Sequence, residues 1–357
     1  MEPLHLCSVT RLLLEPLPSQ RPYDKPQLLP GIWLEGGNAR EFADVLKEHP
    51  ADPSITEMRY ILVIDSPAYV RGLVSRLEGV AGVRQRLEKL LAEHPEGEFE
   101  HLLEMYVEEE DLIRLVMIAC ILAGANAFIV DRPIRVEMRT AGDTKKPVGN
   151  GGSNLRYIWQ CPHETRKRRA KDAGPDAFET LDIGLVQQYC VALEPYFRPI
   201  QWHSGRLAVA IGSFLSYALA ADDVQGYLAL MTVFEALLST GGTEITHQIA
   251  ERTACLLERE VEGRLRVYRR MKELYATRSH LVHGTVENRK GVITYDRLRV
   301  DAKFKIVPDH DYDDLFSFCT RLVTTALKSD QLAALLEEGG KRLIDWYLRL
   351  IFRGPAE

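Results

Sequence analysis

From Trp202 almost to the end of the chain, apolar residues recur every three or four positions. That periodicity restricts this part of the molecule to amphipathic helices that bury one face. The spacing predicts helices over Gly205–Ala220, Val224–Ser239, Glu244–Glu260, Arg264–His283, Tyr312–Lys328 and Gln331–Ile351, with only Gly291–Val307 extended. Helices of this length on short connections pack as an antiparallel bundle.

Residues 1–200 follow a different pattern. Pro16, Pro18, Pro22, Pro26 and Pro30 break the first stretch into extended segments and turns. Tyr60–Ile64 is a short apolar run suited to a buried strand or a helix entry, and Ala127–Arg139 to a strand or hairpin. Between them, helical spacing runs over 69–93 and 98–122, the latter apolar nearly all round in its second half. Asp143–Asn154 has the composition of a loop. Its glycines follow Lys145 and Lys146, the reverse of the order a phosphate-binding loop requires. The expected fold is mainly α: a C-terminal antiparallel helical bundle behind an N-terminal α+β region. The expected domains are residues 1–200, of unknown role with a sensor or regulatory part as one reading, the bundle at 201–330, and a C-terminal helix over 331–357.

Composition narrows the function classes. With 46% hydrophobic and 27% charged residues, a chain of 357 residues is neither disordered nor fibrous. Its six cysteines are scattered and form no CxxC pair, which gives a zinc ribbon or redox dithiol no support and fits a reducing cytosol. The longest apolar run, Leu115–Ala125, is too short to span a membrane. The first residues lack the basic-then-apolar pattern of a signal peptide. A cytoplasmic protein without membrane partners is therefore expected. Net charge is −6, yet residues 251–300 hold 12 basic against 7 acidic side chains. That excess suits a polyanion, or equally a solvated helix face.

The candidate chemistry lies in Arg278-Ser279-His280-Leu281-Val282-His283-Gly284. Arg278 falls in phase with the apolar stripe Val267, Met271, Leu274 and Leu281, where a guanidinium needs a partner or a cleft. Ser279 and His283 are four apart, placing the hydroxyl where it can orient the imidazole. Gly284 is suited to end the helix and leave His283 in its last turn. Two readings remain open on residues alone: a catalytic pair, or an Arg278 that merely pairs with a bundle carboxylate such as Glu235. The cations Arg264, Arg266, Arg269, Arg270 and Lys272 precede the motif on the same helix and suit either RNA backbone contact or solubility. A loop between Pro162 and Pro175 carries Arg166, Lys167, Arg168, Arg169 and Lys171 and is a second candidate for phosphate capture.

Leu228–Ser239 (LALMTVFEALLS), Ile249–Glu258 (IAERTACLLE) and Leu274–Gly284 (LYATRSHLVHG) occur in order. Together they resemble the ApeA-like branch of the HEPN superfamily, helical bundles with an Arg-x4–6-His motif. The resemblance covers roughly residues 203–330 and none of 1–200. It implies metal-independent RNA cleavage, without a cofactor, where two bundles meet in a homodimer. Arg278 and His283 would be the catalytic pair, Ser279 would hold the following polar position (often Asn or Asp in the family), and Glu235 the acidic one. RNA and a second copy would be the partners. As family members serve in toxin–antitoxin or anti-phage systems, an antitoxin or a phage-derived trigger would join them. The alternatives are a non-catalytic HEPN module for dimerisation or RNA binding, and an N-terminal α/β domain that senses a nucleotide and switches the bundle.

Overall fold

A computed structural model describes residues 5–15, 17–18, 27–36, 60–65, 69, 109–125, 127–130, 134–138, 146–150, 157–160, 180–197, 205–220, 222–241, 244–283, 285–288, 291–294, 307 and 309–353. These residues are mainly helical. The chain divides into two compact units, Met1–Gln160 with Ala173–Gln201, and Cys161–Asp172 with Trp202–Glu357.

The first unit is built on a sheet whose long strand is β1 (His5–Glu15). Along one edge β1 pairs with β5 (Tyr60–Asp65), followed by β4 (Ile32–Gly36) and β3 (Gln27–Leu29). Its other edge carries β6 (Ala127–Val130) against Leu12–Glu15 and β7 (Ile134–Met138) against His5–Val9. The run at 127–139 is therefore two strands laid end to end along β1, and not a hairpin. β9 (Tyr157–Gln160) extends β6, and β8 (Lys146–Asn150) extends β7, so a segment read as loop contributes a strand. All pairings in this sheet are antiparallel. The only parallel pairing among the described residues joins β2 (Leu17–Pro18) to β10 (Thr180–Leu181). The parallel sheet that the nucleotide-sensing alternative needs is thus not found there.

Helix α1 (Glu109–Leu122) is buried nearly all round, from Leu112 and Ile113 through Leu115 to Leu122, as its unbroken apolar run requires. It packs on α2 (Ile183–Leu193), which also meets β3. Asp182 caps α2 by accepting from the amides of Gly184 and Leu185 at 2.8 and 3.3 Å. The helix expected at 69–93 lies outside the described residues apart from Tyr69.

Among the described residues the second unit is helical apart from one hairpin. Its helices are α3 (Arg206–Ala218), α4 (Asp223–Leu238), α5 (Ile245–Leu257), α6 (Val261–Val282), α7 (Asp309–Lys328), α8 (Asp330–Glu338) and α9 (Gly340–Arg353). Side-chain pairings give the directions. Arg206 at the start of α3 bonds Ala236 and Ser239 at the end of α4, so these two run antiparallel. Arg270 on α6 meets Asp311 and Asp314 at the start of α7, while Arg321 further along α7 reaches Leu257 and Glu258 just before α6. That pair is antiparallel too. Phe214, Tyr227, Phe234, Phe316 and Tyr347 fill the core, with Phe214 and Phe316 stacked at 6.4 Å. After α6 the chain forms a hairpin of β11 (Thr285–Asn288) and β12 (Gly291–Thr294).

One expectation changes at the C-terminal end. The single helix expected over 331–357 is two, α8 and α9, because Gly339 and Gly340 take φ of 66° and 63° and turn the chain. Only glycine adopts such a conformation without strain. α9 belongs to the bundle itself: Leu343, Tyr347 and Leu350 are buried, and the Tyr347 hydroxyl donates to the Leu237 carbonyl at 2.6 Å.

Candidate active site

The last turns of α6 cross the second half of α4, and three side chains meet there. The Arg278 Nη2 lies 3.1 Å from Oε1 of Glu235. The Tyr275 hydroxyl donates to the same oxygen at 2.9 Å. The Arg278 guanidinium also sits 5.5 Å from the centroid of the Tyr275 ring, a cation–π contact. Tyr275 and Arg278 are three residues apart and so neighbours on one helix surface. Arg278 and Glu235 keep 29% and 27% of their side-chain surface exposed, so a ligand can reach both. Burial first, then the hydrogen bond and charge of Glu235, push the Tyr275 phenol up to about 12, against the opposing effect of Arg278.

Among the described residues Arg278 makes no other ion pair, so most of its five N–H donors remain free for an anion. A planar guanidinium suits two phosphate oxygens. The end of α4 that carries Glu235 is itself held in place, because its last carbonyls are taken by side chains of neighbouring helices. Arg206 serves Ala236 and Ser239, Tyr347 serves Leu237, and Arg252 serves Leu238. Arg252 is buried, with its guanidinium 4.5 Å from the Tyr347 ring. The anchoring of α4 thus comes from α3, α5 and α9 together.

His283 is the C-cap of α6, exposed, with φ −86° and ψ 3° and its amide donating to the Ser279 carbonyl at 3.0 Å. No hydrogen bond joins the Ser279 hydroxyl to the His283 ring among the described residues. The four-residue spacing therefore does not produce the orienting contact expected of it. The structure brings Arg278 and Glu235 together, adds Tyr275, and leaves Ser279 and His283 at the helix end joined by a backbone hydrogen bond but by no side-chain hydrogen bond.

The basic face divides. Arg270 donates to Asp311 at 2.6 Å, Asp314 at 2.8 Å, Glu273 at 3.0 Å and the His310 carbonyl at 3.3 Å. Burial by itself disfavours its charge, but these carboxylates outweigh it and raise the pKa. Arg270 is a structural clamp on α7, which corrects the RNA-contact reading of this residue. Arg264 turns back to the Glu258 carbonyl at 3.0 Å. Arg266, Arg269 and Lys272 are exposed. Arg166, Lys167, Arg168 and Arg169 lie outside the described residues.

Sequence reasoning missed Tyr275 and the helix-end anchors Arg206, Arg252 and Tyr347. Tyr275 had a signal, its i,i+3 spacing from Arg278. The anchors had none, since their partners are carbonyls distant in sequence. Among the described residues no group of three His, Cys, Asp or Glu side chains could hold a metal ion, and no helix is long and apolar enough to cross a membrane. No protein-family model, no curated protein and no solved structure matches the chain.

Proposed function

We propose that this protein is a metal-independent endoribonuclease of HEPN type, acting in the cytoplasm as a toxin or anti-phage effector. The observation that carries the reading is a half-exposed arginine, Arg278, anchored by Glu235 and Tyr275 close to an exposed histidine at the helix end. The resemblance of three ordered helical blocks supports it.

The residue types suit the reaction. A histidine titrating near neutrality takes the proton from a ribose 2′-hydroxyl or protonates the leaving 5′ oxygen. An arginine fixed in place stabilises charge as it develops on the phosphate. Five residues apart, Arg278 and His283 start about 140° apart around a helix at about 3.6 residues per turn. Two copies facing across a two-fold axis supply a composite cleft, and two-fold pairing is the commonest closed assembly.

The test is cleavage of total RNA in EDTA by the wild type beside the double variant Arg278→Ala/His283→Ala. Cleavage by the wild type alone is the expected result. Equal cleavage by both, or none by either, removes the catalytic reading. A second reading, a non-catalytic HEPN-type bundle that dimerises or binds RNA, draws on the Arg278–Glu235 ion pair and on Ser279, which leaves His283 unoriented. It predicts RNA binding without cleavage.

A further inference from the structure

Two residues of α6, Tyr268 and Lys272, take no part in the chemistry at Arg278 yet lie in line with Ser279 and His283. Tyr268, Lys272, Ser279 and His283 are spaced by four, seven and four residues and share one side of the helix. Tyr268 stands about three turns before Ser279, about 16 Å from it along the axis. Its hydroxyl lies 2.9 Å from His247 Nδ1 on α5, and the two rings meet edge to face at 5.7 Å and 80°. The other nitrogen of His247 lies 3.9 Å from Glu251. The Lys272 ammonium sits 5.6 Å from the Tyr268 ring centroid and is exposed, as is Arg269 beside it. The Tyr268 ring is therefore held at a fixed angle, half-buried, among cations that reach solvent.

We propose that Tyr268 and Lys272 form a docking platform for single-stranded RNA, holding the strand whose scissile phosphate lies at Arg278 and His283. This rests on the ribonuclease reading for its purpose, though not for its test. An aromatic face accepts any base by stacking, and a neighbouring ammonium meets the phosphate without reading sequence. Charge favours a polyanion here over a second copy of the chain, since a two-fold pairing at this point would set Lys272 and Arg269 against the same cations. The platform supplies affinity for a longer strand and leaves the choice of cleavage site to the helix end.

The experiment measures binding of a fluorescein-labelled 12-nucleotide RNA of mixed sequence by the full chain in EDTA. Both parent and variants carry His283→Ala, so that cleavage does not consume the probe. Tyr268→Ala should weaken binding roughly tenfold, in the range of a lost base–aromatic stack. Tyr268→Phe keeps the ring and should bind within about twofold of the parent, which guards against a folding defect in the alanine variant. Lys272→Gln should lower the slope of log affinity against log salt by about 0.7, the contribution of one phosphate on a single strand. Parent-like affinity and slope in Tyr268→Ala and Lys272→Gln overturn the platform. So does an unchanged RNA affinity with a shift from dimer to monomer by light scattering, which makes this face a protein interface. Cleavage in total RNA is scored separately. Loss of binding in Tyr268→Ala with no wild-type cleavage leaves the platform and removes the nuclease, whereas cleavage with unchanged binding does the reverse.

Discussion

Tyr275 and Arg278, one turn apart on α6, converge on a single oxygen, Oε1 of Glu235 on α4. The shared acceptor makes the arginine's position depend on a neutral neighbour that contributes a hydroxyl and a ring face. Tyr275→Phe removes the hydroxyl and keeps the ring. One hydrogen bond to a half-exposed carboxylate is worth about 1 kcal/mol, and the melting temperature should fall by about 2–4 °C. If Arg278 acts on a phosphate, RNA cleavage should fall several-fold in kcat, with KM little changed. Unchanged kcat in a folded Tyr275→Phe protein would separate Tyr275 from catalysis.

Alkaline stability follows from the same phenol. Tyr275 is pushed up to about 12 from an ordinary 10.0 by burial first and Glu235 second, and Tyr227, Tyr312 and Tyr347 are raised further, chiefly by burial. Each folded value lies above the unfolded one, so the fold favours the neutral phenol. The contribution is complete below about pH 10 and is lost as pH rises through the folded values. Urea midpoints should be flat up to about pH 10 and then fall. In Tyr275→Phe the fall should begin less steeply, and a midpoint that rises with pH in that window would contradict the assignment.

Arg270→Ala should be among the more destabilising single substitutions of a charged residue in the bundle. It leaves Asp311, whose side chain is 9% exposed, and Asp314 without the cation they share. Removing one partner of such a buried pair costs about 3 kcal/mol, readable as a lower denaturant midpoint. RNA affinity per folded molecule should stay at the wild-type value, because the guanidinium already faces α7. A variant of normal stability but weakened RNA binding would restore Arg270 to the RNA surface.

The C-terminal helix should be required by the bundle. Tyr347→Phe leaves the buried Leu237 carbonyl without its donor and should cost about 1–2 kcal/mol. Ending the chain after Glu338 removes that donor together with buried Leu343, Tyr347 and Leu350. That truncation should lower the melting temperature by well over the point variant's shift. Equal melting of the full and shortened chains would make α9 an appendage.

The helices after Trp202 were legible because a helix buries one stripe, and a stripe is written locally every three or four residues. Val267, Met271, Leu274 and Leu281 all proved buried for that reason. The split of the last helix was also local chemistry, in Gly339 and Gly340, but two glycines inside an apolar period do not announce a positive φ. In the first unit the opening stretch read only as extended segments and turns, because His5–Glu15 mixes apolar and polar residues with no sustained period to mark one long strand. Its partners β6 and β7 were visible as apolar runs, yet nothing in 127–139 says that they lie end to end on a strand more than a hundred residues earlier. The candidate site divides the same way. Sequence singled out Arg278, His283 and Glu235 by residue type and phase. Only the packing of α6 against α4 decided that Arg278 and Tyr275 share a Glu235 oxygen, and only its packing against α7 decided that Arg270 belongs there. Hydrogen bonds of a few ångströms depend on helix crossings set by whole packed faces, and a one-dimensional spacing carries no information about those.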